Sequence, residues 1–314
     1  MLQFSKPLSD RLLYYCLAVP VGNLPLFISY VIFDFFYLLI RSVIPYRKKV
    51  VEQNLKRSFP DASESEIKYI KKKFYGFFTD LFAESIHNLF IGEKSLRKRM
   101  TVRNPEVMEQ FYDQGKSVIL LSSHYNNWEF LITSQSLLFR FQAVGIGSPL
   151  SNKYWDRKIT NRRERFGMKV VHAANYKEEI RKLTVKPTAT LVLGDQSPGK
   201  AENCYWTSFL NQETAFYFGA EFMANEFDMP VICGIIHKVS RGKYELELKL
   251  ITAAPRQESY GFITESYIRN LEEAIILEPR YWLWSHKRWK KQVPENITEV
   301  KLQHKERFLK RFRS

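Results

Sequence analysis

From Ser117 onward, short apolar runs alternate with helical stretches, and that rhythm leaves few folds open. The runs are Ser117–Ser122, Phe141–Gly147, Met168–His172, Ala189–Gly194 and Pro230–Lys238. Between them, the spacing of Asn127–Leu138, Asn152–Phe166, Tyr176–Leu183 and Thr214–Glu226 predicts helices. Strands separated by helices are expected to run parallel, in an α/β fold whose mostly parallel sheet is flanked by helices. Tyr244, Leu246, Leu248 and Leu250 alternate with Glu245, Glu247 and Lys249, which marks a half-exposed strand near the sheet edge. A helix over Tyr260–Leu277, the aromatic and basic stretch Arg280–Lys291 and a basic tail to Ser314 complete the chain.

The segment Leu12–Ile40 is expected to be membrane-directed. It contains no Lys or Arg and one acid, Asp34, over a length that reaches the ~20 apolar residues of a spanning helix. Pro20, Gly22 and Pro25 interrupt its first half, so the helical part is expected from Leu24 onward, either as a marginal span or as an anchor lying in the bilayer plane. A buried core helix with Asp34 paired internally is the other reading. The apolar run is too long for a secretory signal and no small-residue cleavage site follows it. Arg41, Arg47, Lys48, Lys49, Lys56 and Arg57 crowd its C-terminal flank, which assigns that flank, and the chain beyond it, to the cytoplasmic side. The organisation expected is therefore an anchor over residues 1–45 and a catalytic domain over 46–314. Early in the latter, Ser63 and Glu66 form a capping box ahead of Ile67, Ile70, Phe74, Phe77, Phe78, Leu81 and Phe82 at helical spacing, a core-packing helix.

Lys and Arg number 48 against 33 Asp and Glu, a net charge of +15 that favours anionic partners without choosing among phospholipid, phosphorylated substrate, nucleic acid and acidic carrier protein. Cys16, Cys204 and Cys233 are scattered, which fits packing residues in a reducing compartment better than a disulfide framework or a zinc site.

Chemistry is expected where the first strand of the α/β region ends. Ser117–Ser122 leads into Ser123-His124-Tyr125-Asn126-Asn127-Trp128-Glu129 and then a helix. Ligands gather at the carboxyl ends of strands in open α/β sheets, so a histidine there is placed to react. Glu129, five residues on, can turn back to one imidazole nitrogen and leave the other as a general base. Such a base deprotonates a hydroxyl as it attacks a thioester, so the nucleophile is the substrate's own oxygen, and the chain has no GxSxG. The plain alternative is a loop histidine with Glu129 capping the helix. Gly115-Lys116-Ser117 imitates the end of a phosphate-binding loop, but Gln110 stands where the leading glycine belongs and the triplet precedes a strand; it is a turn.

The segment resembles the His-x4-Asp/Glu signature of the glycerolipid acyltransferases, and the wider pattern is similar to the late lipid A acyltransferases over nearly the whole chain. Tyr46-Arg47-Lys48-Lys49-Val50-Val51, with Asn54-Leu55 and Ser58-Phe59-Pro60, matches that family's post-anchor motif. Gly194-Asp195-Gln196 matches its Asp-Gln block, and Trp282-Leu283-Trp284-Ser285-His286-Lys287-Arg288-Trp289 its C-terminal signature. The resemblance implies transfer of a fatty acyl chain from acyl carrier protein to a hydroxyl of a lipid A precursor at the cytoplasmic face of a bacterial inner membrane, without metal or bound cofactor. It nominates His124 and Glu129 as catalytic, Arg163 and Arg165 before Phe166-Gly167 as phosphate or oxyanion contacts, and Asp195 and Gln196 as acceptor-site residues, with Asn127 beside the pair. It makes Trp282–Trp289 a structural or membrane-facing segment instead of a nucleic-acid stacking surface. His87, His172, His237 and His304 are left as packing or surface residues.

Two departures bear on the acceptor. Gly147-Ser148-Pro149-Leu150-Ser151-Asn152 stands where the family often shows a Tyr-Arg-Pro type segment, and Phe209-Leu210-Asn211 where it usually has Phe-Phe-Gly. They motivate a rival in which the acceptor is a lysophospholipid or an aminolipid. A second rival is a non-enzymatic basic protein that binds membrane or nucleic acid by charge alone.

Overall fold

Pro25 and the extended Leu24 before it cut the apolar N-terminal run in two. The computed structural model describes residues 6–42, 46–183, 185–199 and 204–313. It begins with α1 (Lys6–Leu13), a π-helical turn (Tyr14–Ala18), α2 (Val19–Asn23) and α3 (Leu26–Ser42). This corrects the expectation of a spanning helix within Leu12–Ile40: among the described residues, no helix is long and apolar enough to cross a membrane. The cause is local. Proline restricts the residue before it to extended backbone, and Tyr30 and Asp34 of α3 are committed to protein partners. Tyr30 Oη donates to Glu84 Oε1 at 2.6 Å, and Asp34 pairs with Arg241 at 2.5 Å at the surface, so Asp34 is paired but α3 is not the buried core helix of the other reading. Phe27, Val31, Phe35 and Leu38, spaced along one side of α3, stay exposed. The expected boundary at residue 45 lies outside the described residues, as do residues 43 and 44.

Next come α4 (Lys48–Ser58) and α5 (Glu64–Asn88). Ser63 and Glu66 close the capping box ahead of α5, and Ile67, Phe74, Phe77, Phe78 and Leu81 are buried. The chain continues through α6 (Glu93–Arg97), β1 (Met100–Val102), α7 (Glu106–Asp113), β2 (Val118–Ser122), α8 (Trp128–Leu138), β3 (Gln142–Gly147), α9 (Lys153–Glu164), β4 (Lys169–His172), α10 (Tyr176–Arg181) and β5 (Thr188–Leu193). A hairpin, β6 (Tyr205–Phe209) and β7 (Gln212–Phe216), precedes α11 (Gly219–Phe227), β8 (Val231–Ser240), β9 (Lys243–Thr252), α12 (Phe262–Leu277) and α13 (Ile297–Phe312).

The hairpin corrects the helix expected over Thr214–Glu226. Leu210 and Asn211 take left-handed φ values of 49° and 61°, which makes a two-residue turn and sets Thr207 opposite Thr214. Cross-strand packing of this kind overrides the helical spacing read along Thr214–Phe216. Only the second half of the expected helix remains, as α11.

Among the described residues, β1–β9–β8–β2–β5–β3–β4 is the order of the main sheet. β8, β2, β5, β3 and β4 are mutually parallel, and β9 runs antiparallel to β8. The alternating strand lies one place from the edge, covered by the three-residue β1. Helices α5, α11 and α12 pack on one face through Phe74, Met223 and Tyr267, and α7 and α8 on the other through Met108 and Phe130. With both faces covered, β2 is buried throughout and its carboxyl end becomes the natural opening.

Candidate active site

Parallel register builds the site. Ser122 at the end of β2 lies opposite Leu193 at the end of β5. Two residues further on, that register brings His124 beside Asp195. Nδ1 of His124 lies 2.7 Å from Asp195 Oδ1, and the His124 backbone N–H donates to both carboxylate oxygens at 3.0 Å. The Trp282 indole N–H donates to Oδ2 at 2.9 Å. Asp195 is 2% exposed. Burial opposes its charge, but the imidazole beside it and the hydrogen bonds from His124 and Trp282 together hold the carboxyl below the usual aspartate range.

The other nitrogen, Nε2, is 3.0 Å from Gln196 Nε2. An amide N–H donating there leaves Nε2 unprotonated and puts the imidazole proton on Nδ1, facing Asp195. Trp128 stands edge-on to the imidazole, ring centres 5.0 Å apart. The turn carrying His124 is clamped. Asn126, at a left-handed φ of 56°, donates its backbone N–H to Tyr281 O at 2.9 Å and its side chain to Ile236 O at 2.7 Å. The signature segments meet behind it: Asn54 donates to the carbonyls of Trp284 and His286, and Arg47 to that of Ser285. Of the two roles that the resemblance left to Trp282–Trp289, structural or membrane-facing, the burial of Trp282, Trp284, Ser285 and Arg288 fits the structural one, and Trp282 additionally touches the buried acid.

Glu129 makes no hydrogen bond to the imidazole in this structure. It bonds Arg163 Nη2 at 2.8 Å instead. The left-handed Asn126 reverses the chain, and α8 begins only at Trp128, so the five-residue interval is not one helical turn. Glu129 thus leaves the first turn of α8 toward α9. Asn127 is also elsewhere than expected. It caps α8, accepting from the Phe130 N–H at 2.9 Å, and donates to the buried Glu84 at 2.5 Å, with no exposure at all. Arg165 is exposed over Phe166 and lines neither cavity beside the site. Arg163 lines both.

Two residues that sequence reasoning passed over belong here. His286 lines the second cavity and accepts the Ser197 N–H at 3.2 Å; burial depresses its pKa to about 4, so it is neutral. Arg162 is 5% exposed, and its signal was legible: Trp155, Ile159, Arg162 and Phe166 fall on one helical stripe, which marks Arg162 as the inward member of the arginine run. His304, by contrast, is a packing residue 2.6 Å from Tyr260 Oη.

A cavity of about 450 Å³ is lined by His124, Trp128 and Gln196 together with apolar residues that include Ile132, Met168 and Met223. A second, of about 410 Å³, lies beyond Trp128, Glu129 and Arg163, which line both. Of the two departures from the family pattern, Gly147, Ser148 and Leu150 line the first cavity, whereas Phe209–Asn211 forms the hairpin turn away from both.

A histidine at a strand end, held by a buried carboxylate and lining a largely apolar cavity, suits a reaction on a fatty chain. The family model described as bacterial lipid A biosynthesis acyltransferase matches residues 8–291. The chain belongs to that family. This acyltransferase has no match among curated proteins.

Proposed function

We propose that this acyltransferase moves a fatty acyl chain from the thioester of acyl carrier protein to a hydroxyl of a lipid A precursor, with His124 as general base and Asp195 as the carboxylate that orients it. The observation that carries the reading is the bond at Nδ1, which leaves Nε2 facing Gln196, both residues lining the cavity. The acceptor hydroxyl displaces the Gln196 amide and gives its proton to Nε2 as its oxygen attacks the thioester carbonyl. Asp195 stabilises the imidazolium. The tetrahedral adduct collapses, the C–S bond breaks, and the departing thiolate takes the proton back. The donor chain lies in the 450 Å³ cavity. The Glu129–Arg163 pair lines the same cavity, and Arg163 is the cation there for a developing oxyanion or a phosphate.

The same reading places the enzyme on the cytoplasmic face of the inner membrane. Phe27, Val31, Phe35 and Leu38 form an apolar stripe on α3, followed by exposed Lys48 and Lys49, the pattern of a helix lying in an anionic interface. The net charge of +15 favours encounter with an acidic carrier protein.

The test is transfer from acyl carrier protein to a lipid A precursor lacking its secondary chains, followed by mass spectrometry. The expected product is the precursor with one added acyl chain, absent with His124→Ala. Transfer retained by that variant removes the mechanism; transfer to a lysophospholipid or aminolipid in place of the precursor changes the acceptor and keeps the chemistry.

A further inference from the structure

Burying a guanidinium is costly unless its donors are met. Arg162 is 5% exposed and lines the second cavity, yet among the described residues only Nη2 has a partner, the Ile91 carbonyl at 3.1 Å. Its Nε and Nη1 are buried without one, as is Nε of Arg163. Phe166 covers the guanidinium face at 4.7 Å, and burial, followed by the charge of Arg165, depresses its pKa to about 10. The cavity wall also carries Arg47 and Arg163, against a single carboxylate, Glu129, which Arg163 already holds. The remaining lining is largely apolar, with Phe78 and Leu81 within and the exposed rings of Tyr46 and Phe82 at its edge. A buried cation with unmet donors beside an apolar wall matches a molecule that joins an anion to a fatty chain.

We infer that the second cavity is the acceptor site and that Arg162 is its buried ligand for a phosphate on the lipid headgroup. The inference rests on the acyl-transfer reading and adds a site to it. Trp128, Glu129 and Arg163 line both cavities, so donor chain and acceptor lie on opposite sides of one partition, with His124 at its edge. A phosphate held by Arg162 fixes how far the acceptor hydroxyl extends past that partition, which makes Arg162 a specificity-determining residue.

The full chain in detergent micelles is titrated with three probes: a bisphosphorylated, acylated glucosamine disaccharide, the same lipid after enzymatic dephosphorylation, and inorganic phosphate. Wild type is expected to bind the phosphorylated lipid about ten- to a hundredfold more tightly than the dephosphorylated one, the worth of charge-assisted hydrogen bonds to a buried site. Arg162→Met is expected to abolish that preference. Arg157→Met, which removes the same charge from the exposed side of α9, is expected to keep it. Arg162→Lys, which retains the charge, covers the case in which the Met variant does not fold, and is expected to keep only part of the preference. Inorganic phosphate competing with wild type but not with Arg162→Met locates the effect in the phosphate itself; lipid binding that depends on Arg162 without such competition shows that the attached chain is also required. Equal binding of phosphorylated lipid by wild type and either Arg162 variant overturns the inference. Acyl transfer is followed in the same samples. Wild type that transfers while Arg162 proves irrelevant loses this site and keeps the mechanism; phosphate-dependent binding without any transfer does the reverse.

Discussion

The end of β5 and the start of α8 each present an acid to the neighbourhood of His124, and the two acids have opposite circumstances. Asp195 is sealed from solvent and held by the imidazole, the His124 backbone N–H and the Trp282 indole. Glu129 keeps 23% of its side chain exposed and is held by Arg163, itself 28% exposed. A carboxylate tied by several donors in a dry site stays charged and still, which is what orienting a base demands. An ion pair open to water on both sides contributes little stability and exchanges partners readily. The sequence interval singles out Glu129, while the geometry gives the orienting position to Asp195.

Mutation can break this comparison at either end. His124→Ala is expected to have the largest effect, a loss of about a hundred- to ten-thousandfold in kcat for acyl transfer. Asp195→Asn should approach it, because an amide presents the wrong hydrogen-bonding group to Nδ1 and the favoured tautomer is lost. Both are read from single-turnover transfer. Trp282→Phe removes one donor from Asp195, with an expected loss of about tenfold in kcat. It also has a pH signature. A carboxyl held low in the folded state adds stability that is present above its unfolded pKa and lost as pH falls through the folded one. Losing the indole N–H raises the folded value, so acid unfolding of the variant should begin at higher pH than in wild type, as seen by circular dichroism.

Glu129→Gln sharpens the comparison. Removal of a partly exposed ion pair predicts a loss within about tenfold. A loss as large as that of Asp195→Asn, with unchanged thermal stability, would mean that Glu129 leaves Arg163 and reaches the imidazole during turnover, and the division of roles drawn here would fall. The smallest expected effect concerns His286. Its folded pKa, about 4, lies below that of a free histidine, so the unfolded chain binds the extra proton between ordinary histidine pKa and about 4. Stability therefore declines as pH falls through that window. His286→Asn should flatten the decline in melting temperature; an unchanged slope would show that His286 is not buried neutral.

Much was determined by the sequence alone. Alternating apolar runs and helical stretches sufficed for the mostly parallel sheet, because period and length are local properties of a chain. The Ser63–Glu66 cap was legible for the same reason, and so was His124, since a histidine just past a buried strand emerges at the open end of the sheet whatever its neighbours are. What failed was local inference across a reversal. The expected helix at Thr214 became a hairpin through two left-handed residues, and the left-handed Asn126 turned Glu129 from the imidazole toward α9. Only the tertiary structure decided the partner of His124. Asp195 lies 71 residues away, and nothing in the intervening chain states that β2 and β5 are neighbours. The same holds for Arg162: helical period marks it as inward, but whether it meets a backbone carbonyl, a carboxylate or an open cavity depends on which elements pack around α9. Periodicity belongs to a segment; register and burial belong to the assembled sheet.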